Sequence, residues 1–282
     1  MAAAARRVPR RTFGRTGLEV SSIGFGCGPT AGLMVRGSAA ERAAAVERAL
    51  MLGIDYFDTA PIYGETISEQ HLGETLHELG ASVTLASKVA LELPELGDIR
   101  AAVLSSVEAS LKRLKRDHLD VIQLHNRVGF DRAQRSNTGV GALITPDDAL
   151  RVADAFDELR HQGKVRATGC CAYGGDPPAV AQVLHSGRFD AVLVQYSLAN
   201  QSAFGGPALE GGLDYAGAGT RAAAKGMAAI AIRTLEAGKL ASEPEDAIRF
   251  VLRSPEIATA VIGFSTIAHI EQAARAATMD AC

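Results

Sequence analysis

Residues 53–88, GIDYFDTAPIYGETISEQHLGETLHELGASVTLASK, decide the fold. An apolar run, GIDYFD, ends on Asp58; a stretch of helical periodicity follows at 68–79; a second apolar run, VTLASK, ends on Lys88. Short continuous apolar runs are the mark of strands buried on both faces, so this is a parallel strand–helix–strand unit. The unit recurs in both directions. Upstream, VSSIGFGC ends at Cys27; downstream, LDVIQLH ends at His125, KVRATGCC at Cys171, FDAVLVQ at Gln195, MAAIAIR at Arg233 and IATAVIG at Gly263. Helical stretches fall between them at 39–52, 99–115, 146–162, 177–186, about 221–225, 244–253 and 268–277. Eight such units in a chain of this length predict an α/β fold of the (β/α)8 TIM-barrel type. The rival, a doubly wound sheet, is disfavoured because GFGCGP lacks the third glycine of its phosphate-binding turn.

Ahead of the first strand, RTFGRTGLEV carries a glycine turn between two extended pieces, which predicts an N-terminal β-hairpin placed to plug the bottom of the barrel. Residues 1–10 read as a disordered leader and 11–282 as a single domain. Two glycine-rich stretches, 126–145 and 204–219, follow strands and are expected as loops over the mouth.

Composition narrows the function. With 282 residues, 47% hydrophobic and 22% charged, the chain has ample material for one core. Its 29 basic and 32 acidic residues give a net charge of −3, which offers no general attraction to nucleic acid or to an anionic membrane. Charged residues interrupt every apolar run, so no membrane span is expected. Four cysteines, Cys27, Cys170, Cys171 and Cys282, lack paired spacing, which favours a reducing compartment, the cytoplasm.

In a barrel of this type the C-terminal strand ends converge on one mouth. Asp58, Lys88 and His125 end the second, third and fourth strands, and Tyr63 follows Asp58 by five residues. Singly each has an ordinary explanation: an aspartate caps a helix, a lysine is solvated, a histidine packs in a core. Together they form a proton-transfer set. A nearby ammonium lowers the pKa of a phenol, a carboxylate keeps the ammonium charged, and an imidazole can donate a hydrogen bond to a carbonyl oxygen. Schiff-base chemistry at Lys88 is the less favoured use, and no metal site is expected, because the histidine and carboxylates form no ligand cluster.

The segments RTFGRTGLEVSSIGFG, GIDYFDTAPIYG, LASK, LDVIQLH and HQGKVRATG closely resemble the aldo-keto reductase family, and the resemblance runs from about Arg11 to Ala277. It implies a nicotinamide cofactor, NADP(H) or NAD(H), lying across the strand ends without a Rossmann fold. It also implies that Tyr63 is the proton donor, that Asp58 and Lys88 tune it, and that His125 orients the carbonyl of a small aldehyde, ketone or sugar. Where residues match, the carried-over cofactor contacts are Gly26, Gln195 for the carboxamide, Leu235 and Gly238; Cys27, Asp58, Cys171, Arg233, Gly263, Ser265, Thr266, His269 and Gln272 are the remaining candidate cofactor-binding residues along the same path.

Several positions depart from the family pattern. Cys171 and Ala172 stand where Ser-Asn holds the carboxamide, and Ile232 stands where a tyrosine stacks on the nicotinamide. Gly263, His269 and Ala273 stand where a lysine, an arginine and an asparagine bind the adenosine phosphate, so NADPH preference does not follow. The resemblance leaves three alternatives: an NAD-dependent aldose dehydrogenase working oxidatively, a cofactor-sensing regulatory subunit, and a barrel lyase or isomerase that makes no use of hydride. A monomer is the family-level expectation. Phe25, Phe130, Tyr173, Tyr196 and Phe204 are candidate pocket walls, there being no tryptophan. Cys27 and Cys171 read as buried small apolar side chains.

Overall fold

The structure is a computed structural model that describes residues 7–134 and 140–279. Residues 1–6 of the expected leader, 135–139 of the expected loop, and Cys282 lie outside the described residues. Val8 is buried and its N–H donates to the Leu52 carbonyl at 2.8 Å, so packing begins ahead of residue 11.

In chain order the elements are β1 (Arg10–Thr12), β2 (Glu19–Ser21), β3 (Ile23–Gly26), α1 (Leu33–Arg36), α2 (Ala39–Met51), β4 (Tyr56–Asp58), α3 (Ile67–Glu78), β5 (Thr84–Val89), α4 (Ile99–Leu114) and β6 (Leu119–Leu124). There follow β7 (Arg127–Val128), β8 (Leu143–Ile144), α5 (Pro146–His161), β9 (Val165–Cys171), α6 (Pro177–Ser186), β10 (Ala191–Gln195), α7 (Ala218–Ala223), β11 (Ala228–Ile232), α8 (Pro244–Leu252), β12 (Ile257–Gly263) and α9 (Ile267–Met279). Strands β3, β4, β5, β6, β9, β10, β11 and β12 close in that order into a barrel, every neighbouring pair parallel. The eight expected units are all present. The expected first strand, 20–27, divides between the hairpin strand β2 and the barrel strand β3, and 126–145 includes the short β7–β8 pair.

Alternation along the strands separates two apolar layers. Tyr56, Ala86, Val121, Ala167, Ala191 and Ile230 belong to one cluster inside the barrel; Phe57, Leu85, Ile122, Val192 and Ala229 belong to the layer beneath the helices. The β1–β2 hairpin pairs Arg10 with Ser21 and Thr12 with Glu19, and it drives the fully buried Phe13 into the inner cluster, 6.1 Å from the Tyr56 ring. The barrel floor is thereby plugged, as the sequence predicts.

Helix starts carry their own stop signals for the preceding loop. Ser38 and Glu41 form a reciprocal capping box on α2, and Thr145 and Asp148 form one on α5 behind Pro146. Among the described residues no helix is long and apolar enough to cross a membrane.

Candidate active site

Because the inward side chain alternates with a period of two, Tyr56 pointing inward at the bottom places Asp58 inward at the mouth. The same parity takes Ala86 to Lys88, Val121 through Gln123 to His125, Ala167 to Cys171, Ala191 to Gln195, and Ile230 to Ile232. The register carries this around the rim: Asp58 pairs with Gly26, Lys88 with Gln123, and Gln195 with Ile232.

Lys88 is 1% exposed and Asp58 3%. Lys88 Nζ forms an ion pair with Asp58 Oδ1 and donates to the Thr59 carbonyl at 2.8 Å. The other aspartate oxygen accepts from Gln123 Nε2 at 2.9 Å. Tyr63, half-buried in the loop after β4, lies with its ring centroid 5.0 Å from Lys88 Nζ and 6.1 Å from the His125 ring, edge to face. The structure thus brings all four expected groups into one cluster.

Their charges follow from burial. Desolvation is the largest single influence on Lys88 and lowers its pKa, but the charges and hydrogen bonds of Asp58 and Tyr63 together outweigh it and hold the ammonium above its ordinary value. Burial raises the Tyr63 phenol; Lys88 pulls it down, as the sequence reading expects of an ammonium, yet the net direction is upward. Burial and then Lys88 push His125 well below its ordinary value, so the ring is neutral at pH 7. Its Nδ1 is buried with no partner among the described residues.

The expected cofactor contacts spread along the rim from this cluster. Gly26 and Gly263 are register partners at the ends of β3 and β12, and Gly263 is tightly placed: a Cβ there would stand 2.9 Å from the Ala31 Cβ. Cys27 donates its N–H to the Asp58 carbonyl but turns its thiol into the outer apolar layer. Cys171 faces inward, 5% exposed; burial raises its thiol pKa to about 11, and Sγ accepts the Tyr173 N–H at 3.3 Å. Gln195 is buried with Oε1 accepting from the Tyr215 hydroxyl at 2.9 Å and Nε2 donating to Glu236 at 2.8 and 3.0 Å.

Arg233 is exposed, its guanidinium 4.9 Å from the Tyr173 ring centroid, and Tyr173 in turn stacks on Tyr215 at 6.4 Å. Farther along, Leu235, Pro244, Gly263, Phe264, His269 and Gln272 line one pocket, with Gly238 exposed in the loop leading to it. At the start of α9, the His269 N–H donates to Thr266 Oγ1 at 3.3 Å, and Ser265 lies within 3.4 Å of His269 Nδ1. A second cleft, lined in part by Ile62, Lys88, Glu92 and His125, opens on the catalytic cluster. Among the described residues no group of His, Cys, Asp and Glu side chains is arranged to hold a metal ion.

Some expected wall residues are elsewhere. Phe25 is fully buried between Phe57 and Phe264, and Tyr196 packs on Phe204 and Phe250 in the outer layer. Phe130 is exposed in the loop after β7, and Tyr173 is half-buried just after β9. Sequence reasoning missed Gln123, although it shares the inward parity of His125 two residues on. It also missed Glu236, Ser197 and Tyr215, which lie in loops where no periodicity marks them.

A sequence model described as the Aldo/keto reductase family matches residues 22–246 of this chain. L-galactose dehydrogenase of Arabidopsis thaliana is 26% identical over 299 aligned residues, covering 96% of this chain and 89% of the relative. Pyridoxal 4-dehydrogenase of Microbacterium luteolum is 40% identical over 189 residues, covering 57% of this chain and 54% of the relative. Among solved structures, an aldo-keto reductase from Klebsiella pneumoniae in complex with NADPH superposes with a TM-score of 0.71 at 21% identity, covering 96% of this chain and 90% of the other.

Proposed function

The chain belongs to the aldo/keto reductase family of NAD(P)H-dependent oxidoreductases, and we propose that it interconverts a small carbonyl compound and its alcohol with Tyr63 as the general acid and base. The observation that carries this reading is the buried Lys88–Asp58 pair lying against Tyr63 and a neutral His125 at one mouth. A bound nicotinamide supplies hydride to the carbonyl carbon or accepts it from the alcohol.

The side chains handle the proton and the oxygen. In reduction, His125 donates a hydrogen bond to the substrate oxygen, and the Tyr63 hydroxyl transfers its proton there as negative charge develops. The Lys88 ammonium stabilises the phenolate left behind; Asp58, itself fixed by Gln123, keeps Lys88 charged and aimed. In oxidation Tyr63 takes the proton from the alcohol.

The rim residues fit a nicotinamide dinucleotide. Gln195 presents an amide at one end, and the pocket of Leu235, Gly263, Phe264, His269 and Gln272 suits an adenosine at the other. Ser265, Thr266 and the first N–H groups of α9 are the donors available to a phosphate there. The Klebsiella neighbour holds NADPH in the same fold. This chain offers no lysine or arginine at Gly263 or His269, which supports NAD(H) as an equal candidate.

Sugar oxidation is the second reading, supported by the full-length likeness to a plant L-galactose dehydrogenase. The deciding experiment follows nicotinamide absorbance with both cofactors across a panel of aldehydes, ketones and aldoses, in both directions, for wild type and Tyr63→Phe. Turnover in the wild type lost in the variant supports the mechanism. Cofactor binding without turnover on any substrate favours a regulatory, cofactor-sensing role; an equally active Tyr63→Phe variant rejects the tyrosine mechanism.

A further inference from the structure

The loop after β11 places a carboxylate where the proposed chemistry does not use one. Glu236 is 6% exposed and sits in the left-handed region, φ 47, followed by Ala237 at φ 55. Both the backbone geometry and the burial of an acid are unfavourable, so the surroundings must hold this side chain in place. They do so with neutral donors. Glu236 accepts from Gln195 Nε2 through both oxygens, at 2.8 and 3.0 Å, and from the Ser197 hydroxyl. No lysine, arginine or histidine among the described residues lies within ion-pairing distance of it.

Two consequences follow for Gln195. An ionised carboxylate only accepts hydrogen bonds, so the Gln195 amide nitrogen must face Glu236 and its oxygen must face away. Tyr215 fills one lone pair of that oxygen at 2.9 Å, which leaves the other for a ligand donor. Gln195 is thus set to accept from the NH2 of a carboxamide. Cys171 and Ala172 supply no side-chain hydroxyl or amide that would share the task.

The carboxylate stands one hydrogen bond behind that contact, buried and, among the described residues, with no cation within ion-pairing distance, where a nearby charge is poorly screened. The oxidised nicotinamide ring carries a positive charge and the reduced ring none. We propose that Glu236 makes this site discriminate between the redox states of its cofactor, binding the oxidised nicotinamide in preference to the reduced one. Repulsion between Glu236 and the cofactor phosphates is common to both states and cancels in the ratio of their affinities. The inference rests on the reading above that Gln195 holds the carboxamide.

The test compares dissociation constants of the oxidised and reduced forms of NAD and NADP, by titration calorimetry and by nicotinamide fluorescence. The reduced cofactor is followed by its own emission under direct excitation, because the chain contains no tryptophan to sensitise it. Wild type binds the oxidised form at least as tightly as the reduced. In E236Q the ratio of oxidised to reduced dissociation constants rises about tenfold, whereas E236D, which keeps the charge, stays within about threefold of wild type. S197A, which removes a donor and leaves the charge, also keeps the ratio. If E236Q does not accumulate, E236M carries the same prediction. A ratio unchanged in E236Q, or a wild type that binds the reduced form about tenfold more tightly, overturns the inference while leaving the active-site reading intact. Failure of the wild type to bind any of the four cofactors overturns the active-site reading itself.

Discussion

Replacing Asp58 by asparagine removes one charge from a pair in which Lys88 is 1% and Asp58 3% exposed. Two donors point at this side chain, Lys88 Nζ at Oδ1 and Gln123 Nε2 at Oδ2, and an asparagine offers only one acceptor. The Gln123 half of the mismatch can be relieved, because Gln123 Oε1 has no partner and a flipped amide would accept from the new NH2. The Lys88 half cannot. An ammonium stripped of its counter-ion in a buried site costs about 3–5 kcal/mol. Urea unfolding at pH 7 should show that loss with an unchanged slope against denaturant.

The pH dependence has a definite sign. In the wild type the raised Lys88 pKa contributes stability that is fully present below the unfolded value, about 10.4, and is lost only above it. In the variant the Asp58 contribution is gone and desolvation, the largest influence on Lys88, lowers the folded pKa, so the folded state binds fewer protons than the unfolded one. The deficit should therefore shrink as pH rises from 7 towards 10. D58N combined with K88M should recover about 2 kcal/mol or more of the loss, since no buried charge remains. A D58N deficit under about 1 kcal/mol, or one that grows with pH, would show that Lys88 does not depend on Asp58 as its counter-ion.

Three further outcomes are expected. With Tyr63 raised and His125 lowered by burial, Tyr63 stays protonated and His125 neutral through pH 6–9; kcat/KM for reduction should be flat there, while oxidation rises about tenfold per pH unit. An inflection near 6.5 in the reduction profile would contradict this. Placing an arginine at the exposed α9 position, His269→Arg, should tighten NADPH relative to NADH by about tenfold in a binding titration, one charge-assisted phosphate contact; equal effects on both would place the adenosine phosphate elsewhere. In α3, a Cβ on Gly73 would stand 2.4 Å from the Arg113 carbonyl oxygen of α4, so Gly73→Ala should destabilise by about 1–2 kcal/mol in urea unfolding despite a helix-propensity gain of about 1 kcal/mol.

The barrel is legible because each strand is a short apolar run separated from the next by a helical stretch. Inward parity then carries Asp58, Lys88, His125 and Gln195 to one rim, and the same rule applied one step back would have exposed Gln123. What escaped the sequence lies outside that periodicity. Glu236 and Tyr215 reach the Gln195 amide from loops 41 and 20 residues away, and Glu236 does so through a backbone turn at positive φ that no composition signal marks. Phe25 and Tyr196 were expected at the pocket because they are aromatic and near strand ends, but each lies one position out of inward register and packs beneath the helices. The net direction at Tyr63 was also beyond the sequence, since it depends on how far burial outweighs a single ammonium.

In this site Tyr63 is proposed to move the proton, with Lys88 and Asp58 behind it. Single-turnover hydride transfer, followed by nicotinamide absorbance at saturating cofactor, tests it most directly. Tyr63→Phe should keep cofactor affinity within about threefold of wild type while the transfer rate falls by about 10²–10⁴. Hydride transfer at the wild-type rate in that variant would contradict it.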